Sequence, residues 1–187
     1  MNYGTELVNR GMVREAVAFY EKAVKLNPED EEGHFNLAFA LTKLGRTNDA
    51  IFHYSEALKI LPDYAEAHNN LGNLLVNQGS FNEAIGHYSA ALRVAPENPS
   101  AHNNLGRALA KQGQIRDALP HFAEAVRLDP AYVEAHFNLA NAYLSLDRPE
   151  EAAREFTQVL RLSPNFQPAL QGLARARQKL GSGPLPR

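Results

Sequence analysis

The chain has 187 residues, a formal net charge of −2 and a pI near 6.4, so it offers no electrostatic footprint for nucleic acid or an anionic membrane. It contains no cysteine, which excludes a disulfide framework and a thiolate site and leaves the redox compartment open. Nothing resembles a signal peptide or a run of about 18 apolar residues, so the expectation is a soluble, cytoplasmic chain, unless it is excised from a larger secreted or membrane-bound protein.

A ruler runs along the sequence. Pro28, Pro62, Pro96, Pro130 and Pro164 recur every 34 residues without an insertion, and a fixed period in this range is the mark of a solenoid built from one supersecondary unit. Counting back from Pro28 puts Met1 inside a first helix, with Asn2, Tyr3 and Gly4 already in register. Residues 1–30 are therefore expected to be a truncated repeat with an uncovered stacking face. Full repeats follow at 31–64, 65–98, 99–132 and 133–166.

The repeat 65–98 shows how each unit is built. Leu71, Gly72, Leu74 and Leu75 have helical spacing, and Gly79 stands where a left-handed C-cap is wanted, so a first helix stops near Gln78. Ser80 with Glu83 has capping-box spacing, and Ala84, Ile85, Tyr88, Ala91, Leu92 and Val94 make the apolar face of a second helix, which Pro96 stops. Pro120 falls early in its second helix and is expected to be a harmless first-turn proline. Asp147, Arg148 and Pro149 replace the glycine turn of the last full repeat, with a modest local change of turn expected. Residues 167–180 form a capping first helix whose Arg175, Arg177, Gln178 and Lys179 solvate its outer side. The segment Gly181 to Arg187 has too little apolar content to pack and is expected to be a disordered tail.

Several columns keep the same period. Leu37, Leu71, Leu105, Leu139 and Leu173 form one, followed at once by the small residues Gly4, Ala38, Gly72, Gly106, Ala140 and Ala174. Ala16, Ala50, Ala84, Ala118 and Ala152 form another, with Tyr20, Tyr54, Tyr88, Phe122 and Phe156 four residues later. Ala23, Ala57, Ala91 and Ala125 come next, with Val159 as the departure. These columns resemble the tetratricopeptide repeat, whose leading aromatic is replaced here by His34, His68, His102 and His136. The resemblance implies an all-α fold, a right-handed α-solenoid of antiparallel helix pairs forming one array over 1–180, with first helices lining a concave face.

One polar column stands out on those first helices: Asn2, Asn36, Asn70, Asn104 and Asn138, each two residues before the small position. A side-chain amide both donates and accepts, so it can match one peptide unit of an extended chain whatever that chain's side chains are. The column resembles the asparagine ladder of the tetratricopeptide superhelix of O-linked N-acetylglucosamine transferase; none of that enzyme's catalytic domain is present. Asn69, Asn103, Asn73 and Asn141 extend the polar surface, Phe35, Phe39 and Phe137 offer apolar anchors, and Lys43, Arg107, Lys111 and Arg175 give some positive charge. The alternative for the amides is bonding to neighbouring helices or to groove water. A different site of the family, the dicarboxylate clamp, needs basic groups where this chain has Glu32, Glu66, Ser100 and Glu134, or Phe35, Asn69, Asn103 and Phe137.

All seven histidines fall into two columns, His34, His68, His102 and His136 in first helices and His53, His87 and His121 in second helices. Members of one column sit on equivalent helices about 10 Å or more apart, too far to share a metal with bonds near 2 Å. They are expected to be structural. No nucleophile, base and orienter form a motif, and no phosphate loop or metal motif occurs. Asp49, Glu83, Asp117 and Glu151 sit early in second helices, where they favour the dipole.

The sequence thus predicts a non-catalytic scaffold without cofactor that binds an extended segment of a partner protein. Two alternatives remain: a substrate-presenting region of a larger glycosyltransferase or membrane enzyme, and a self-stacking module that forms homo-oligomers through the open N-terminal face.

Overall fold

The computed structural model describes residues 3–181, and every regular element among them is an α-helix. The helices divide into two compact units, one ending at Pro96 and the other beginning at Glu97. The first holds α1 (Tyr3–Asn9), α2 (Val13–Leu26), α3 (Glu31–Lys43), α4 (Thr47–Ile60), α5 (Ala65–Asn77) and α6 (Phe81–Val94). The second holds α7 (Pro99–Lys111), α8 (Ile115–Leu128), α9 (Val133–Ser145), α10 (Pro149–Leu162) and α11 (Gln167–Gly181). Each successive helix packs on the one before it within its unit. The chain is of the all-α helical-repeat class that the 34-residue period predicts. No helix among the described residues is long and apolar enough to cross a membrane. Asn2 and the segment 182–187 lie outside the described residues, while Gly181 of the expected tail closes α11.

The second helix of each repeat ends two residues before its proline, at Leu26, Ile60, Val94, Leu128 and Leu162. The intervening residue is pushed out of the helical region by the ring that follows it, as at Asn27, with φ −132° and ψ 90°. Its N–H still closes a last helical bond, Asn27 to the Ala23 carbonyl at 2.9 Å.

First helices end in a paired reverse bond. After α5, the Gly79 N–H donates to the Val76 carbonyl and the Ser80 N–H to the Leu75 carbonyl, at 3.0 and 2.9 Å, with Gly79 at φ +81°. This is the Schellman arrangement that a left-handed residue permits. Asp147 makes the same turn at φ +57°, with Arg148 donating to the Tyr143 carbonyl at 2.9 Å. The turn is thus unchanged there, and an aspartate bears the conformation that glycine adopts without a steric cost.

Two local expectations are corrected. Ser80 does not close a capping box: its side chain makes no cap bond. It is at once the residue that ends the α5 turn and the N-cap of α6, and its ψ of 62° is far from the extended geometry that brings a cap hydroxyl to the third N–H. Pro120 is the sixth residue of α8 and not part of its first turn. It therefore removes a bond to the Arg116 carbonyl, while the helix runs through it with the ring exposed.

The core is made by small residues against rings. Ala16, Ala50, Ala84, Ala118 and Ala152 have no exposed surface, and the ring column from Tyr20 to Phe156 is at most 2% exposed. Full burial of each such ring stabilises by about 2–3 kcal/mol. The glycine of the small column is a matter of space: a Cβ on Gly72 would come within 2.7 Å of the Tyr88 ring.

Candidate functional site

The asparagine column lies on first helices, and its members differ in what they touch. In the first unit the ring column reaches up to this face through its hydroxyls. The Tyr54 hydroxyl, pushed up to about 12 by burial and partly relieved by Thr42 and Asn70, hydrogen-bonds both. The Tyr88 hydroxyl donates to Asn73 Oδ1 at 2.8 Å, and Tyr20 meets Thr5 Oγ1 at 3.2 Å. Asn36 makes no hydrogen bond among the described residues and lines a cavity of about 160 Å³ with Thr5, Val8, Asn9, Tyr20, Phe35 and Phe39.

In the second unit the rings are phenylalanines, and the amides turn to one another. Asn138 Nδ2 donates to Asn103 Oδ1 at 2.9 Å, and Asn103 Nδ2 donates to the Tyr132 hydroxyl at 3.3 Å. Asn103 is fully buried and Asn104 nearly so. Asn141 Nδ2 bonds the Phe137 carbonyl at 2.9 Å. Asn138 keeps its acceptor oxygen and one N–H, since an amide carries two donors and an acceptor. It lines a cavity of about 260 Å³ with Arg107, Ala110, Lys111, Phe122 and Asn141 among its other walls. The column stops after Asn138 for a steric reason: the next position in register is Gly172, and a Cβ there would collide with the Phe156 ring.

The two cavities occupy one register. Thr5, Val8, Asn9, Tyr20, Asn36 and Phe39 stand three repeats of 34 residues before Arg107, Ala110, Lys111, Phe122, Asn138 and Asn141. Both mix apolar and amide walls; the first adds the rings of Phe35 and Phe39, the second the cations Arg107 and Lys111. Phe39 is exposed, with Lys43 Nζ 4.9 Å from its ring centroid. Phe35 packs on Tyr64 at 4.8 Å, and Phe137 packs on Phe156 and Phe166 and does not line the second cavity. Arg107 pairs with Glu134 at 3.2 Å.

The histidine columns are joined in a way their separate spacing hides. His34 Nδ1 lies 3.0 Å from His53 Nδ1, His68 Nδ1 lies 2.9 Å from His87 Nδ1, and His102 Nδ1 lies 3.2 Å from His121 Nδ1. The Pro28 carbonyl accepts from His34 Nε2 at 3.2 Å, so a neutral His34 has a bare Nδ1 that accepts from His53. The second-helix partners His53, His87 and His121 are all held below the usual histidine pKa by burial and by the facing imidazole, although Asp49 and Glu56 oppose this at His53. At the fourth such position Glu155 replaces histidine and accepts from His136 Nδ1 at 2.6 Å, while Nε2 donates to the Pro130 carbonyl. Both ring nitrogens then carry protons, and the Glu155 bond raises the His136 pKa against its burial. The constant 19-residue offset between the columns was the available signal. No group of three or more histidine, aspartate or glutamate side chains among the described residues could hold a metal ion.

Family models match most of the chain: a TPR repeat model over residues 4–45, 40–79 and 72–113, and a tetratricopeptide repeat model over 105–165. No curated protein matches. Among solved structures, MamA from Desulfovibrio magneticus RS-1 is 25% identical with a TM-score of 0.80, covering 88% of this chain and 93% of that one. TTC0263, a TPR protein of Thermus thermophilus, is 26% identical with a TM-score of 0.67 and covers 95% of both chains. The first TPR of Spaghetti (RPAP3), bound to the HSP90 peptide SRMEEVD, is 30% identical with a TM-score of 0.62, covering 63% of this chain and 94% of that one.

Proposed function

The chain belongs to the tetratricopeptide repeat family, and on that premise we propose that it is a protein–protein interaction scaffold that takes extended segments of partner proteins on its first-helix face. Two cavities at one repeat register carry this proposal, each beside an asparagine whose amide keeps hydrogen-bonding capacity. Asn36 and Asn138 grip main-chain amides, and the cavity beside each takes a side chain of the bound segment. Phe35 and Phe39 favour an apolar side chain in the first; Lys111 and Arg107 favour a polar or acidic one in the second. Asn70, Asn73, Asn104 and Asn141 support these positions through the contacts their amides make, and Phe137 through packing.

The peptide-bound relative supports a peptide ligand here. Its EEVD peptide does not transfer, because Glu32, Glu66, Ser100 and Glu134, or Phe35, Asn69, Asn103 and Phe137, stand where cations would be needed. A random-peptide display selection run on the chain and on a folded Asn36→Ala/Asn138→Ala variant tests the reading. Enrichment on the original alone is expected; equal enrichment on both would move the binding surface elsewhere. Asn70 is left intact because its amide serves Tyr54.

A further inference from the structure

A second cavity of the later unit, about 460 Å³, shares no lining residue with the one beside Asn138. Arg154, Thr157, Gln158 and Arg161 reach it from α10, spaced so that they share one helix face. Arg177 reaches it from α11, and His136 and Glu155 complete the charged wall.

The repeat register explains why Arg161 lacks the pairing found at its equivalents in α4 and α8. In α4 and α8 the equivalents of Gln158 are Glu56 and Glu124, which bridge Lys59 and Arg127, the equivalents of Arg161. Gln158 carries no charge, so Arg161 has lost the acid one turn before it. Arg154 stands where the other full repeats have Phe52, Gly86 and Pro120. Among the described residues Arg154, Arg161 and Arg177 make no ion pair within 4.0 Å, as is also true of Arg14, Arg116 and Arg175, although Arg154 acts electrostatically on Glu151; what sets the three apart is that they border one cavity. The carboxylate in the wall is already engaged, since Glu155 Oε2 lies 2.6 Å from His136 Nδ1. Three guanidinium groups therefore border one void whose lining carboxylate, Glu155, is engaged by His136, and each offers a planar fork suited to a carboxylate or phosphoryl group. The volume is that of a side-chain or small-ligand pocket.

We propose that this cavity binds a multiply negative group carried by a partner polypeptide, either clustered carboxylates or a phosphorylated residue, at a site separate from the asparagine face. Fluorescence polarisation with labelled hexaglutamate, a singly phosphorylated serine peptide with neutral flanks, and its unphosphorylated form tests it, with an anionic phospholipid vesicle as a further probe. Arg161→Gln/Arg177→Gln should weaken the anionic peptides about tenfold or more, and Gln158→Glu, which returns the acid to its register, should weaken them by about threefold. Arg14→Gln/Arg116→Gln, which removes the same charge from exposed positions elsewhere, should leave binding unchanged. Stronger binding of one anionic peptide names the source of the charge. The proposal is overturned by an absence of binding, by equal loss in the Arg14/Arg116 variant, by no loss with Gln158→Glu, or by binding to vesicles without peptides.

Discussion

In the unit that ends at Pro96 the ring under each repeat is a tyrosine, and Tyr54 and Tyr88 spend their hydroxyls on Asn70 and Asn73 of the first-helix face. In the unit that begins at Glu97 the same column is Phe122 and Phe156, and the amides bond to each other, Asn138 to buried Asn103. One repeat template therefore holds its polar face in two ways, from below by hydroxyls or sideways by neighbouring amides. The cavities differ accordingly: the one beside Asn36 is backed by the hydroxyl-bearing Tyr20 and adds Phe35 and Phe39, and the one beside Asn138 is backed by Phe122 and adds Arg107 and Lys111. A difference of one oxygen in the core reaches the surface because the small column leaves nothing between ring and first helix.

The largest test of the comparison concerns two second helices at one register. Pro120 in α8 and Gly86 in α6 are equivalent, and Gly86 faces open space. Pro120→Ala should stabilise by about 3 kcal/mol, restoring a backbone bond, and Gly86→Ala by about 1 kcal/mol. Urea denaturation of both variants measures this; equal gains would mean that α8 absorbs the proline without losing its ladder. Next in size, Tyr54→Phe converts a ring of the first unit to the chemistry of the second. Losing the hydroxyl should cost about 1–2 kcal/mol because Asn70 loses its partner, while Thr42 keeps its bond to the Ala38 carbonyl, and no loss would show that the hydroxyl is dispensable to the face.

The smallest effect is that of pH. His53, His87 and His121 resist protonation in the folded chain, so the unfolded state binds more protons and stability falls as pH drops below about 6.5. His136 acts with the opposite sign: its contribution is full below about 6.5 and is lost as pH rises through its raised pKa. Melting temperature should decline from pH 7.5 to 5, and His136→Gln should steepen the decline. A variant that flattened it would reverse the assigned charge of the His136–Glu155 pair.

Much of this was legible in order of locality. The prolines fixed where second helices stop because a ring acts on its immediate neighbour, and Gly79 announced its turn because only a left-handed residue closes it. Asp147 hid the same turn, since its identity does not state its φ. Ser80 misled because capping spacing says nothing of a residue already committed to ending the previous helix. The histidine pairs are not visible along either column, because the contact runs between the two helices of one repeat.

The sequence alone determined the period, the helix ends and which residues share a register, because these follow from backbone restrictions and from spacing along a single helix. Only the tertiary structure decided which amides are already bonded, that His136 meets Glu155 while its counterparts meet imidazoles, and that three arginines border one cavity. Such facts depend on atoms brought within about 3 Å from separate helices, a distance that no one-dimensional pattern specifies.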